Sequence, residues 1–236
     1  MPGTPPQNSR RPIWIGRNRS EGDRLKAKQT KSETSLPNGL SHWSAYISEA
    51  DQSALVVDLR RVIAQAPFIR PMTRWGKPMS VRMTATGRLG WVIEGGRYTY
   101  RPKHPETGRP WPQIPEGVLR VWRDLSSWNG DPDCCLINWY GEGAKMGLHR
   151  DADEGDAAFD APVLSISLGD PACFRFGGTE RGGPTRSLIL RSGDVLAMGG
   201  ASRLIYHGVD RISFGESGLL PNGGRINLTL RVVKSA

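Results

Sequence analysis

The stretch Arg225–Arg231, which reads RINLTLR, carries the clearest fold signal in this sequence because polar and apolar residues alternate along it without a break. Successive side chains of an extended strand point to opposite faces, so Arg225, Asn227, Thr229 and Arg231 share one face. A half-exposed strand at a protein surface shows the same alternation. Two arginines on one face are also suited to binding the two carboxylates of a small dianion. The stretch therefore predicts a β-strand whose polar face is either solvated or binds an anion.

The rest of the sequence predicts a β-rich fold around this strand. After Pro132, short runs with period-two alternation are separated by turns that contain glycine and proline. Seven strands are predicted there: Cys134–Tyr140, Val163–Leu168, Ala172–Phe176, Ser187–Leu190, Val195–Met198, Leu204–His207 and Arg225–Val233. Apolar residues at helical spacing predict two helices, Ala54–Ala66 and Glu116–Trp128. Strands this close in sequence favour a sandwich or jelly roll, and we expect the helices to cover one sheet in an α+β arrangement.

Composition and charge limit the class of protein. A chain of 236 residues suits one domain with or without an appendage, and its net charge of +9 attracts polyanions such as nucleic acid or an anionic membrane surface. Three cysteines, two of them adjacent, fit neither a disulfide framework nor a zinc ribbon, which indicates a reducing cytoplasm. No apolar run approaches the roughly 18 residues needed to cross a bilayer, and the N-terminus lacks the apolar stretch of a signal peptide. We therefore expect a cytoplasmic protein that does not enter a membrane.

The first 40 residues differ in composition from the rest. Residues 1–40 contain eight Lys or Arg and three acidic residues, with little apolar content. Such a segment cannot bury enough apolar surface to offset the entropy lost on ordering. We therefore predict a disordered basic tail over residues 1–40, followed by a folded domain over residues 41–236. The tail is either a solvated leader or an arm that contacts phosphates.

Three residues form a pattern typical of metal ligands. On an extended backbone, His149 and Asp151 share one face about 6.6 Å apart. His207 ends an apolar run, where a strand would bring it to the edge of the core. Each residue has an ordinary explanation, as a solvated surface pair or a hydrogen-bonded core histidine. Two histidines and one carboxylate together bind Fe(II) on one face and leave the opposite face open, although a zinc hydrolase can use the same ligands.

The two arginines of the last strand discriminate between these metal sites. 2-Oxoglutarate is a dicarboxylate whose keto-acid end must also chelate the metal, and paired arginines suit its carboxylates. A zinc hydrolase has no need of such a pair. Asn138 and Tyr140 share a face of another predicted strand, so they can add hydrogen bonds to the same anion or serve as structural polar groups. The pattern favours an enzyme that uses Fe(II) and 2-oxoglutarate.

Several ordered segments resemble the AlkB family of Fe(II)- and 2-oxoglutarate-dependent dioxygenases. The stretch from Asn138 to Glu154, NWYGEGAKMGLHRDADE, resembles the metal-binding segment of that family. The other similar stretches are Gly90–Trp91, Tyr98–Tyr100, Pro110–Pro112, Ala161–Gly169, Phe176–Gly178, Gly193–Gly208 and Arg225–Arg231. Because they occur in order, the resemblance covers about residues 40–235.

The resemblance implies a fold and a role for each matching residue. The fold is a double-stranded β-helix, or jelly roll, with flanking helices and an N-terminal nucleotide-recognition segment over residues 80–132, followed by a catalytic core over residues 133–236. The implied iron ligands are His149, Asp151 and His207. The implied 2-oxoglutarate pocket has Arg225 at the C1 carboxylate and Arg231 at the C5 carboxylate, with Asn138, Tyr140 and Asn227 around them. The implied substrate contacts are Trp91 stacked on the target base opposite His149, Tyr98 at the nucleic-acid backbone, and Asp153 and Arg181 on the substrate side.

The activity implied by this resemblance is oxidative dealkylation of nucleic-acid bases. Such an enzyme uses Fe(II), O₂ and 2-oxoglutarate to hydroxylate the alkyl carbon on a base nitrogen, and the resulting hemiaminal breaks down to an aldehyde and the repaired base. A base inside a duplex cannot reach the metal, so the base must be flipped out or single-stranded. The expected partner of this monomer is alkylated single- or double-stranded DNA, or RNA, with lesions such as 1-methyladenine and 3-methylcytosine. Two alternatives remain: the same chemistry on RNA, protein or a small molecule, and a nucleic-acid-binding module with a structural metal.

Overall fold

The structure is a computed structural model that describes residues 33–73, 76–155 and 158–233. These residues contain thirteen β-strands and two α-helices. The helices are α1 (Glu49–Gln65) and α2 (Glu116–Leu125). The strands are β1 (Glu33–Ser35), β2 (Leu40–Trp43), β3 (Arg82–Gly87), β4 (Gly90–Glu94), β5 (Arg97–Arg101), β6 (Cys134–Tyr140), β7 (Met146–His149), β8 (Val163–Gly169), β9 (Ala172–Phe176), β10 (Arg186–Leu190), β11 (Val195–Met198), β12 (His207–Ile212) and β13 (Arg225–Arg231).

The strands form two antiparallel sheets and one separate hairpin. The large sheet has the strand order β1-β2-β11-β8-β13-β6-β3, and the small sheet has the order β10-β9-β12-β7. Strands β4 and β5 pair only with each other among the described strands. This arrangement confirms the predicted α+β fold with a jelly-roll core.

The large sheet is buried on both faces. On one face, Leu55 of α1 and Trp122 of α2 belong to the same apolar cluster as Leu228 of β13. On the other face, Leu136 of β6 clusters with Phe174 of the small sheet. Full burial of one such side chain stabilises the fold by about 1.5–3 kcal/mol, so these two layers hold the sheet between them. The prediction that the helices cover one sheet is confirmed.

Strand β13 lies in the middle of the large sheet, between β8 and β6. Its apolar residues face the helices, so its polar residues face the space between the two sheets. Arg225 and Asn227 lie opposite Tyr140 and Asn138 of β6, which places all four side chains on that same face. Since both faces of the sheet are covered, a surface strand with a solvated face is excluded.

One predicted strand, Leu204–His207, is wrong. Residues 203 and 204 form a turn after a 3-10 helix, residues 205 and 206 belong to no helix or strand, and His207 is the first residue of β12, not the last residue of a strand. The reason lies in the tertiary contacts of this segment. The buried Arg203 guanidinium donates hydrogen bonds to the carbonyl oxygens of Ala161 and Asp151, and Ile205 is buried in the core although it belongs to no strand. Tyr206 exchanges backbone hydrogen bonds with Gly177 and Gly178, and the apolar run therefore reflects burial ahead of a strand that begins at His207.

The predicted tail ends earlier than expected. Residues 33–40 form β1, a short 3-10 helix and the start of β2, so the prediction of disorder is wrong for these residues. They are ordered because β1 pairs with β2, and Leu40 is fully buried. Residues 1–32 of the predicted tail lie outside the described residues. Strands β1, β2 and β3 also belong to the large sheet, so that sheet takes strands from outside the predicted core over residues 133–236.

None of the helices among the described residues is long and apolar enough to cross a membrane. The three cysteines, Cys134, Cys135 and Cys173, are buried as free thiols.

Candidate active site

A cavity of about 420 Å³ lies between the two sheets. The polar face of β13 and the neighbouring face of β6 supply one wall. Strands β7 and β12 of the small sheet supply another, and the hairpin contributes Trp91 and Tyr98. The cavity therefore collects residues from all three groups of strands.

The predicted metal ligands converge on one side of this cavity. His149, the last residue of β7, lies opposite His207, the first residue of β12. Asp151 follows two residues after His149, and its carboxylate oxygens lie 3.8 Å from His149 Nε2 and 3.9 Å from His207 Nε2. One ligand atom from each residue lies within 4.8 Å of the others. The three side chains are therefore close enough to hold one metal ion together, and the predicted convergence is confirmed.

Backbone carbonyls orient both imidazoles. His149 Nδ1 is 3.0 Å from the carbonyl oxygen of Gly147, and His207 Nδ1 is 3.2 Å from that of Ile205. A carbonyl can only accept, so each Nδ1 carries a proton, and Nε2 is the ring atom available to a metal. Such a contact fixes the tautomer and ring direction of a metal-binding histidine. The Nε2 atoms face Asp151.

The charge states of Asp151 and His207 suit metal binding. Burial would raise the pKa of Asp151, but the nearby Arg231, His207 and His149 outweigh it and hold that pKa well below its usual range. Arg231 forms a two-point ion pair with this carboxylate, at 2.8 Å from Nη2 and 3.2 Å from Nε. Burial, with a contribution from His149, lowers the pKa of His207 to about 4. Near neutral pH the carboxylate is therefore ionised and the His207 ring is neutral, as metal ligands must be.

Arg225 is a buried cation that still has hydrogen bonds to make. Its Nη2 donates to Ser167 Oγ at 2.8 Å, whereas Nε and Nη1 have no hydrogen-bond partner. Burial lowers its pKa to about 10, which leaves the guanidinium charged near neutral pH. It forms no ion pair with a carboxylate of residues 33–73, 76–155 or 158–233, although a buried charge is costly unless paired. The residues present therefore fit an anion that enters the cavity and accepts from Arg225.

Arg231 is the arginine of β13 that contacts the metal triad. The keto-acid end of 2-oxoglutarate must chelate the metal, and the structure places Arg231, not Arg225, against the metal triad. The two Cα atoms are about 20 Å apart along β13 because a strand rises about 3.3 Å per residue. The expected order has Arg225 at the C1 carboxylate and Arg231 at the C5 carboxylate, and this geometry favours the reverse order.

The three remaining residues of the predicted anion pocket all line the cavity. The Oδ1 atom of Asn138 is buried without a hydrogen-bond partner. Burial raises the pKa of Tyr140 to about 12, so its hydroxyl remains a donor. The Nδ2 of Asn227 already donates to Ser165 Oγ at 2.7 Å. Asn138 and Tyr140 thus keep hydrogen-bonding capacity for a bound molecule.

The substrate side of the cavity contains three of the four predicted residues. Trp91 stacks on Tyr98 with ring centroids 5.0 Å apart, and both line the cavity with His149. Asp153 also lines it and accepts a hydrogen bond from the Trp91 side chain; partial burial, then the charge of Glu154, raises its pKa. Arg181 is exposed and is not among the lining residues, and its guanidinium lies 5.9 Å from the ring centroid of Tyr206. The structure does not bring Arg181 to the cavity wall.

Sequence reasoning missed a buried ion cluster behind the triad, formed by Asp151, Glu154, Arg203 and Arg231. Arg203 Nη2 lies 3.3 Å from Glu154 Oε2, and Arg231 Nε lies 3.5 Å from Glu154 Oε1. Tyr100 of β5 donates to Glu154 at 2.7 Å. Arg203 and its partners are about 40 to 50 residues apart in sequence, so no local spacing could reveal them. The only feature of the sequence that pointed to this cluster is that Glu154 lies three residues after Asp151 of the HxD motif.

The class of protein follows from this site and from comparisons with known proteins. A family model described as the 2OG-Fe(II) oxygenase superfamily matches residues 39–231. The jelly-roll core, the His-Asp-His cluster and this match define a dioxygenase that uses Fe(II) and 2-oxoglutarate, with O₂ as the co-substrate.

Individual relatives narrow the class to a family. An alpha-ketoglutarate-dependent dioxygenase AlkB homolog of Caulobacter vibrioides is 52% identical over 198 residues, which cover 84% of this chain and 89% of that protein. The alpha-ketoglutarate-dependent dioxygenase AlkB of Escherichia coli is 42% identical over 181 residues, 75% of this chain and 82% of that protein. The solved structure of OsALKBH1 matches with a TM-score of 0.74 at 29% identity, over 85% of this chain and 100% of that one. This chain belongs to the AlkB family.

Proposed function

We propose that this enzyme oxidatively removes alkyl groups from nucleic-acid bases and that His149, Asp151 and His207 are its Fe(II) ligands. The observation that carries the proposal is that Trp91 and the metal triad line one cavity. An aromatic ring facing a metal site suits a flat base, because every base has a π-face on which to stack. The net charge of +9 favours a polyanionic substrate.

Two relatives are named for such substrates. A protein of Arabidopsis thaliana that is 31% identical to this chain is named DNA N(6)-methyladenine demethylase ALKBH1C. A protein of Schizosaccharomyces pombe that is 29% identical is named tRNA demethylase abh1. These names support nucleic acid as the substrate, and we propose alkylated DNA, with RNA as the second candidate.

The anion pocket would hold 2-oxoglutarate along the polar face of β13. Arg225, with its two unpaired N–H groups, and the Tyr140 hydroxyl would bind the distal carboxylate. Arg231 would lie at the keto-acid end because it pairs with Asp151. Bound together, Fe(II) and 2-oxoglutarate supply the oxidation of the alkyl carbon by O₂, with release of CO₂ and succinate. Asn138 and Asn227 would complete the pocket.

The target base would lie between Trp91 and His149, with Asp153 at its edge. Tyr98 is 49% exposed and stacks on Trp91, so it would contact the nucleic-acid backbone at the mouth of the cavity. The hydroxylated N-alkyl group breaks down without a protein nucleophile. The protein therefore has to position the base and exclude water, and the apolar side chains of Leu136 and Phe174 in the cavity wall serve the second purpose.

One chain contains every part of this site. The triad, both arginines and the aromatic pair come from the described residues of a single copy. We therefore propose a monomeric working unit. The three free cysteines are what a reducing compartment maintains, and they support a cytoplasmic location.

A turnover assay tests the proposed function. Purified enzyme with Fe(II), 2-oxoglutarate and ascorbate is given single-stranded DNA and RNA oligonucleotides that contain 1-methyladenine, and formaldehyde and succinate are measured. We expect both products in equal amounts, no formaldehyde from the unmethylated oligonucleotides, and neither product with His207→Ala. Succinate without formaldehyde on any oligonucleotide would be uncoupled oxidation of 2-oxoglutarate and would contradict methylated bases as the substrate. Absence of both products would favour a binding module with a structural metal.

A further inference from the structure

The aromatic face of the β4–β5 hairpin reaches both the cavity and the buried ion cluster. Trp91 of β4 lies directly opposite Tyr100 of β5, and Tyr98 is two residues from Tyr100, so the three rings project from one face of the hairpin. Trp91 and Tyr98 line the cavity. Tyr100 is turned towards the cluster, where its hydroxyl donates to Glu154. The hairpin that would hold the base is therefore hydrogen-bonded to residues behind the metal triad.

Two consecutive carboxylates attach this hairpin to the metal-binding segment. Asp153 accepts from the Trp91 side chain, and Glu154 accepts from Tyr100 at 2.7 Å. Both carboxylates follow Asp151 within three residues. A shift of the hairpin therefore acts on the short segment that carries a metal ligand.

Arg231 provides a second connection between Tyr100 and the metal ligand Asp151, in addition to the one through Glu154. Its Nη1 lies 3.4 Å from the Tyr100 hydroxyl oxygen, and its Nη2 lies 2.8 Å from Asp151 Oδ1. One guanidinium thus donates towards both the hairpin and the triad. Asp151, Glu154 and Arg231 are buried and Tyr100 is half-buried, so these polar contacts are stronger than they would be in water.

We propose that Tyr100 is a positioning residue that couples the seating of the target base against Trp91 to the binding of 2-oxoglutarate at the metal end of the cavity. The proposal rests on the proposed function. A carboxylate of 2-oxoglutarate that binds at the metal end competes for the guanidinium of Arg231. The hydrogen bonds of Arg231 to Asp151, Glu154 and Tyr100 are then redistributed. The hairpin shifts when these hydrogen bonds change, because Tyr100 of the hairpin contacts both Arg231 and Glu154. Two sites are coupled when both ligands bias one shared element, and here that element is the Tyr100 contact.

Tyr100→Phe tests the coupling because it removes only the hydroxyl. The affinity for a fluorescent single-stranded oligonucleotide containing 1-methyladenine is measured under nitrogen, with Mn(II) in place of Fe(II), with and without 2-oxoglutarate. In the parent protein we expect 2-oxoglutarate to tighten binding by about fivefold or more, at the lower end of typical coupling between sites. In Tyr100→Phe we expect a ratio close to one. By linkage, the oligonucleotide must tighten 2-oxoglutarate binding by the same factor in the parent.

Tyr46→Phe is the matched control. It removes another phenol that donates to a carboxylate, that of Asp124 at 3.1 Å, and Tyr46 does not line the cavity. We expect it to keep the parent ratio. A purely structural role of Tyr100 would weaken both affinities equally and leave the ratio unchanged, so an unchanged ratio in Tyr100→Phe overturns the proposal, as does a ratio of one in the parent. A parent protein that binds no methylated oligonucleotide under either condition counts against the proposed function itself.

Discussion

His149 and His207 lie directly opposite each other on β7 and β12, and their ring centroids are 4.5 Å apart. The pairing of these two strands therefore decides the metal site. A shift of one residue in a strand register turns a side chain to the other face of the sheet, which would remove one imidazole from Asp151. Gly208 permits the close approach, because a Cβ at this position would lie 2.6 Å from the carbonyl oxygen of Met146.

Replacing Gly208 should weaken the metal site without touching a ligand. In Gly208→Ala the added methyl group pushes β7 away from β12, and we expect the affinity for Fe(II) to fall by about tenfold or more, as when a group that orients a ligand is lost. Titration with Fe(II) or Mn(II) measures this. Gly147→Ala is the matched control in β7, because its Cβ would meet nothing within 4 Å. Equal metal affinities in the two variants would show that the strand spacing does not control the site.

Arg225→Lys should raise the Michaelis constant for 2-oxoglutarate by about tenfold or more. Lysine keeps the charge but loses the fork that can bind a carboxylate at two points, and hydrogen bonds to charged groups contribute about 1.5–3 kcal/mol each. Metal affinity should stay near the parent value. Arg231→Lys should instead weaken metal binding and 2-oxoglutarate binding together, because Arg231 pairs with Asp151. The reverse outcome for the two variants would restore the order expected from sequence.

Asp153→Ala should change which lesions are processed. Methylation at N1 of adenine or N3 of cytosine makes the base cationic, and a carboxylate at the cavity wall attracts this charge and accepts from the exocyclic amino group. Methylated thymine and guanine carry no such charge. We expect the parent to prefer 1-methyladenine and 3-methylcytosine over 3-methylthymine and 1-methylguanine, and the variant to lose part of this preference in kcat/KM.

The control for this prediction is Asp160→Ala. Asp160 is exposed and is not among the cavity-lining residues. Equal losses on all four lesions in Asp153→Ala, or no loss on any, would remove Asp153 from base recognition.

Deleting residues 1–32 should leave turnover on short oligonucleotides near the parent value. The deletion stops before β1, because Glu33–Ser35 pairs with β2. The removed segment is rich in lysine and arginine, so if it contacts phosphates the salt dependence of binding should flatten. Affinity measured against salt concentration checks this. An unchanged slope would identify the segment as a solvated leader, and a deletion protein that does not fold would contradict a dispensable tail.

Local patterns predicted much of the core. Strands β6, β9 and β11 have the predicted bounds, and α2 begins at the predicted residue. Strands β1 to β5 and β7 were not predicted. β1 and β7 are short, and β5 is largely exposed, so they carry little apolar alternation. Strands β2, β3 and β7 pair with strands far away in sequence, namely β11, β6 and β12.

The sequence by itself determined which residues share a face. In RINLTLR the side-chain direction alternates with a period of two, a local property of the backbone, so Arg225, Asn227 and Arg231 had to lie together whatever surrounded them. The HxD spacing similarly brought His149 and Asp151 to one side.

Only the tertiary structure decided what those faces meet. The burial of β13 between the helices and the small sheet makes its polar face a wall of the cavity. The pairing of β7 with β12 places His207 next to His149 and Asp151. The order of the two arginines and the link from Tyr100 to Glu154 depend on contacts between residues 54 to 80 positions apart. Such contacts form when distant segments pack together, and no local pattern encodes their distances.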